Sequence, residues 1–353
     1  MGRDKSEINF HVNLVRTVAI LLVILLHSAN EPHPIVTDIN QEEVFRWWAV
    51  TTYDSISQPC VPLFVMLSGA LLLQPSKIET MGVFFKKRLN RIALPFLFWG
   101  IAYFLWRYYV QDEALPLASI VQGIETGPYY HFWFLYMITG LYLITPMLRV
   151  LVANSNQNLL RYSAVLWFVG TAVIPLLGLF DNNILANKIF LPVGWAGYFI
   201  MGPYLLKLRI KPLFLYTSLF TGILCTIIGT YIIALSLGGD YTYFFSNPLS
   251  ANVIVSSVSM FLLLRRVSPS KIQNSHPRLN WVINKIGHNT LPIYLLHLIV
   301  LETLQNGYLG FRISVNTLNP LYEAPLATAL TLLICLGIIL ALKKIPFLQK
   351  VIG

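Results

Sequence analysis

Charge is what this sequence has least of. Only 11% of its 353 residues are Asp, Glu, Lys or Arg, against 56% hydrophobic ones, and the mean hydropathy is +0.64. A soluble chain carries about 25% charged residues to cover its surface, so a water-solvated globule is excluded. Cysteine is nearly missing as well. Cys60, Cys225 and Cys335 lie scattered through apolar segments, with neither metal-ligand spacing nor a disulfide framework, and no bound metal is expected. There is no internal repeat and no Gly-x-Ser-x-Gly nucleophile elbow. A cleaved leader is not expected either: the first apolar run follows Arg3 and Lys5, yet it holds Arg16 and His27 and lacks a small-residue cleavage site.

What the sequence does have is a succession of apolar runs. They fall at 12–29, 54–73, 92–110, 132–152, 162–180, 191–208, 213–237, 248–264, 288–305 and 324–342. Because crossing a bilayer takes roughly 20 apolar residues, the chain reads as an all-α, polytopic transmembrane bundle of about ten helices. A single membrane domain over residues 1–353 is expected, since the runs leave no room for a large soluble one. The net charge of +10 could suit nucleic acid, but its distribution points to the membrane. With the N-terminus inside, only Arg46, Arg107, Lys188 and Arg312 lie at or beyond the outer half, leaving 21 of the 25 Lys and Arg inward. Of 15 acidic residues, only Asp4, Glu7 and Glu79 are inside. Positive charge near span ends sets orientation. Both termini are therefore expected in the cytoplasm, with the chain multi-pass in the inner cell membrane, in contact with membrane lipids and not with nucleic acid. Two connections read as long loops: outer Asn30–Tyr53, and inner Arg265–Gly287 with five positive charges.

Ionisable residues inside spans are costly and by default mark a site or pathway. Arg16 and His27 are eleven positions apart in the first span. That is about three helical turns, so they share a face, separated by roughly 16 Å along the axis. Arg16 falls at the inner leaflet and His27 in the outer half. In Phe84-Phe-Lys-Lys-Arg-Leu-Asn-Arg91, Arg88 and Arg91 are three apart and point the same way on a helix. Paired guanidinium groups at the inner interface suit phosphate, although positive-inside topology alone also demands such residues. In Pro62-Leu-Phe-Val-Met-Leu-Ser-Gly-Ala70, Ser68 and Gly69 permit close helix approach. His131 opens His-Phe-Trp-Phe-Leu-Tyr at the outer start of the fourth run, and His297 closes Ile286-Gly-His-Asn-Thr-Leu-Pro-Ile-Tyr-Leu-Leu-His near mid-membrane.

Taken in order from about residue 8 to about residue 300, these segments resemble the acyltransferase 3 family of integral membrane O-acyltransferases. The matching pieces are Arg16 with His27, PLFVMLSGALLL, Arg88-x-x-Arg91, HFWFLYMITGLYL and IYLLH. The resemblance implies about ten helices and transfer of an acyl group from cytoplasmic acyl-CoA, acetyl-CoA being the simplest, to a cell-surface glycan or lipid-linked sugar. No appended hydrolase-like domain is expected. Arg16, Arg88 and Arg91 would then hold the coenzyme A phosphates, and His27 would act as general base on a sugar hydroxyl. Asp54 or Glu302 would orient the His27 ring, while His131, Trp133 and His297 would contact substrate. Whether the acyl group passes directly or through His27 stays open, as does assembly into a homo-oligomer. A polysaccharide or small-molecule exporter is the alternative, but it is expected to show paired halves, and none are evident.

Overall fold

In the computed structural model, residues 5–29, 41–74, 79–177, 194–236, 243–314, 316–317 and 319–353 are described. Among them the regular structure is entirely helical. The first helix, α1 (Lys5–Ala29), carries both Arg16 and His27 and forms the hub. Around it pack α2 (Gln41–Ser57), α3 (Cys60–Leu72), α13 (Pro277–His288), α14 (Thr290–Gln305) and α15 (Pro320–Leu342). An outer set contains α4 (Met81–Tyr109), α5 (Leu117–Thr126), α6 (Trp133–Asn154) and α7 (Gln157–Phe168). Helix α7 runs through a π-helical turn (Val169–Val173) into α8 (Ile174–Leu177). The remaining elements are α9 (Gly194–Leu205), α10 (Pro212–Ser236), α11 (Ala251–Leu264), α12 (Pro269–Ser275) and the short α16 (Pro346–Val351).

Seven helical stretches are long and apolar enough to cross a membrane, or eight if the bent pair Ala251–Leu264 and Pro269–Ser275 is one span. Their outward faces are apolar: Leu97 is 59% exposed, Met147 74%, Phe220 66% and Leu333 64%. Water would not tolerate so much contiguous apolar surface, whereas lipid solvates it, and a helix satisfies its own backbone groups there. The chain is a multi-pass helical membrane protein. Among the described residues this is fewer than the ten apolar runs. Three of those runs fold as helices of 12, 14 and 16 residues, α9, α11 and α14, shorter than the roughly 20 residues a bilayer needs. Of these, α14 is buried along nearly its whole length. Three prolines lie within helices, Pro95 inside α4, Pro146 inside α6 and Pro203 inside α9.

Two expected loops are largely helical. Much of the outer connection is α2, which buries Trp47, Ala49 and Val50 and sets Trp47 and Trp48 against Tyr231 of α10. The inner connection is α12 followed by α13, and α13 is clasped to α1. Thr17 Oγ1 donates to the Ile283 carbonyl at 3.0 Å, and Asn13 Nδ2 to Asn284 Oδ1 at 2.8 Å. Gly287 permits this approach, since a Cβ there would lie 2.7 Å from the Asn13 Cα. The close contact expected of Ser68 and Gly69 occurs between α3 and α9. A Cβ on Gly69 would lie 1.8 Å from the Phe199 carbonyl oxygen, and one on Gly202 2.1 Å from that of Met66. Arg3, Asp4 and Lys188, named in the leader and charge readings, lie outside the described residues.

Candidate active site

The site is built along α1. Beside Arg16, midway along α1, a cavity of about 150 Å³ opens between α1, α4, α6 and α14. Arg16 and Arg91 line it, with Ser68, Tyr142, His288 and, furthest along, Tyr294. Arg88 is not part of this wall. Its guanidinium lies over the Phe84 ring at 5.4 Å, and Nη2 is 3.9 Å from Glu79 Oε1. The same carboxylate meets Lys87 Nζ at 3.3 Å and Arg149 Nη2 at 3.7 Å. Burial would raise the Glu79 carboxyl, but the Lys87 hydrogen bond and the three surrounding cations hold it below the usual glutamate range. The paired arginines expected from the sequence are thus divided. Arg91 joins Arg16 at the cavity, and Arg88 joins an ion-pair cluster linking α4 to α6.

Beyond Tyr294 three histidines converge. His27 and His297 have ring centroids 5.2 Å apart, and His131 and His297 5.4 Å apart. Each arrives on a different element. His27 comes from the far end of α1, and His297 from the buried face of α14. A short 3-10 turn (Tyr130–Phe132) turns His131 inward before α6 begins. Aromatic rings enclose them: Tyr294 packs on His297 and His131, Tyr130 on His27, and Tyr103 on His131, at 5.0–5.6 Å.

The hydrogen bonding of these rings is incomplete. His297 Nδ1 lies 2.5 Å from the Tyr294 carbonyl oxygen. A carbonyl only accepts, so in the neutral ring Nδ1 carries the proton and Nε2 presents a bare lone pair. That Nε2 is buried without a partner, and so are both ring nitrogens of His131. Buried polar atoms are nearly always satisfied. Three orphaned nitrogens in one cluster mark a place where a polar ligand or water belongs. Among the described residues no set of three or more His, Cys, Asp or Glu is arranged to hold a metal ion.

The two carboxylates expected to orient His27 have other hydrogen-bond partners. Asp54 accepts from Gln58 Nε2 at 3.0 and 2.9 Å. Glu302 accepts from Tyr129 Oη at 2.5 Å, Gln111 Nε2 at 2.9 Å and Trp106 Nε1 at 3.3 Å. Neither hydrogen-bonds to His27. Between Glu302 and His27 runs a chain of ring contacts, Tyr129 tilted on Tyr130 at 5.1 Å and Tyr130 edge-on to His27 at 5.4 Å. Trp133 also stands apart from the histidines, packed against Trp195 at 5.6 Å. The sequence reading missed Tyr294, which joins the cavity to the histidines. Its one signal was the spacing to His297, three positions along the same helix.

An apolar bundle with cationic side chains at one end and orphaned imidazoles inside defines a membrane-embedded enzyme or carrier. The comparison with known families decides between them. A family model described as an acyltransferase domain matches residues 9–340, so the chain belongs to the acyltransferase 3 family and is a membrane acyltransferase. No curated protein and no solved structure matches it.

Proposed function

We propose that the protein moves an acyl group from cytoplasmic acyl-CoA, in the simplest case acetyl-CoA, to a sugar hydroxyl of an extracytoplasmic or lipid-linked glycan. The observation that carries this reading is the cavity lined by Arg16, Arg91 and Tyr294 together, the Tyr294 ring packing on His131 and His297. Coenzyme A is too anionic to enter lipid. Its phosphates rest on guanidinium groups at the basic end, and its pantetheine arm follows the cavity and carries the thioester to the histidines. His27 removes the proton from the sugar hydroxyl. The oxygen attacks the thioester carbonyl, the carbon–sulfur bond breaks, and the departing thiolate takes the proton back from His27. Direct transfer needs no acyl-enzyme. The acceptor arrives from the opposite end, where Glu302, Tyr129 and Gln111 offer hydrogen-bonding groups beside aromatic rings.

The test uses the full chain in proteoliposomes with acyl-labelled acyl-CoA and a glycan acceptor, beside mass spectrometry of glycans from cells with and without the protein. Label should appear on the glycan in the vesicles, and the acyl mass on glycans only from cells that contain the protein. Intact acyl-CoA in the vesicles and unchanged glycans in the cells would overturn the reading and favour an exporter.

A further inference from the structure

A second basic hollow lies at the same end of the bundle as Arg16, between other helices. The end is fixed by α1, because His11 Nε2 lies 3.1 Å from the carbonyl of Val267, the residue after Arg266. The hollow measures about 450 Å³ and forms where α9 ends, α10 begins and α11 ends. Lys207, Arg209, Arg265 and Arg266 supply its charge, and Leu215 and Leu262 part of its apolar wall. No acidic side chain lines it.

The four cations differ in what they do. Arg265 donates to the Leu205 and Leu206 carbonyls at 2.6 and 2.9 Å, and Arg266 donates to the Ile210 carbonyl. These bonds cap the last turn of α9 and pin the connection that follows. Lys207 and Arg209 sit on that pinned connection, both exposed, alternating with half-buried Leu208 and Ile210. Neither makes an ion pair among the described residues. Leu215 of the first turn of α10 lines the hollow, and its neighbours Leu213, Phe214 and Tyr216 are each more than 60% exposed on the outer side of the same turn. A fixed concave set of cations thus adjoins an apolar, lipid-facing strip.

We infer that this hollow binds the phosphate of an anionic phospholipid headgroup from the leaflet at that end, with the acyl chains along the start of α10. Basic pockets between transmembrane helices recognise anionic headgroups by this combination of charge and adjoining apolar surface. Guanidinium groups match a phosphate through paired hydrogen bonds. The apolar rim favours a lipid over a free phosphate, which would gain nothing from it. The site is separate from the Arg16–Arg91 cavity and does not depend on the acyl-transfer reading.

Native mass spectrometry of the full chain in neutral detergent, titrated with phosphatidylglycerol or phosphatidylcholine, tests it. Wild-type protein should hold phosphatidylglycerol in preference. The double variant Lys207→Ala/Arg209→Ala should weaken that binding roughly tenfold or more, and the charge-conserving Lys207→Arg/Arg209→Lys should bind like wild type. Both positions are exposed, so neither change disturbs the core. Excess inorganic phosphate should leave the lipid adduct intact. Equal adducts in the Ala variant, weak binding by the charge-conserving one, or equal retention of phosphatidylcholine would overturn the site. Displacement by inorganic phosphate would overturn the lipid as its occupant.

Discussion

His27 is the residue on which the proposed chemistry turns, and its surroundings sharpen what its removal should do. It stands about three helical turns from Arg16, so His27→Ala leaves the donor-binding end untouched. Donor affinity should be unchanged while single-turnover transfer falls by roughly 10²–10⁴, the usual contribution of a general base. Near wild-type transfer by a protein that still binds acyl-CoA would move the role to His131 or His297, whose rings lie in the same cluster. Asp54 bonds to Gln58 and not to the imidazole, so Asp54→Asn should cost far less than His27→Ala. The arginines divide in the same way. Arg91 lines the cavity whereas Arg88 is engaged with Glu79 and Phe84. A charge-assisted contact contributes about 1.5–3 kcal/mol, so Arg91→Ala should raise the acyl-CoA dissociation constant about tenfold or more, and Arg88→Ala distinctly less. Lys at position 91 should rescue only in part, because it lacks the bidentate fork. Equal losses at both positions would return them to a common phosphate site.

Among the helices, the α3–α9 crossing is where a single methyl group matters most. Gly69 and Gly202 each face a backbone carbonyl of the other helix, and backbone cannot move aside as a flexible side chain would. Overpacking of this kind typically costs 1–3 kcal/mol, occasionally more. Gly202→Ala should therefore lower the unfolding midpoint in detergent clearly, whereas Gly140→Ala, with open space around it, should not. A similar midpoint for both would show that the helices separate without cost. The Glu79 cluster makes a different demand on the ends of α4 and α6. Because its cations hold the folded carboxyl below the usual glutamate range, its contribution is present above the ordinary glutamate pKa. It is lost as pH falls through the lowered value. Thermal midpoints measured from pH 6 to pH 3 should thus converge between wild type and Glu79→Gln at the acid end. A constant gap across that range would mean that Glu79 acts by packing alone. Some of this element-level detail was readable in advance. Gly69 as a close-approach residue and the place of Arg16 and His27 on one helix follow from local pattern. Helix α13 was readable and missed: Leu279, Val282, Ile283 and Ile286 fall at helical spacing after Pro277. A run of positive charge drew the eye to a loop instead.

At the scale of the whole molecule, the histidine cluster is the part no local pattern could disclose. His27, His131 and His297 meet only because α1, α14 and the 3-10 turn before α6 come together, and their separation in sequence carries no trace of that. The asymmetry of charge is different, since it is a property of the whole chain and needs no packing to be read. The structure gathers much of it at one end of the bundle. Arg16 lies on α1, Lys87, Arg88 and Arg91 open α4, Arg149 lies in the last turns of α6, and Arg265 and Arg266 close α11. The Arg16–Arg91 cavity and the second basic hollow both draw their lining from these residues. If positive charge marks the cytoplasmic side, Lys271 on α12 faces the cytoplasm and Glu43 on α2 the exterior. In a background lacking Cys60, Cys225 and Cys335, Glu43→Cys should react with an impermeant maleimide in intact cells, and Lys271→Cys only after permeabilisation. Labelling of Lys271→Cys from outside would invert the bundle. The arginine-lined cavity would then face away from the only compartment that supplies acyl-CoA, and the donor route would fail along with the topology.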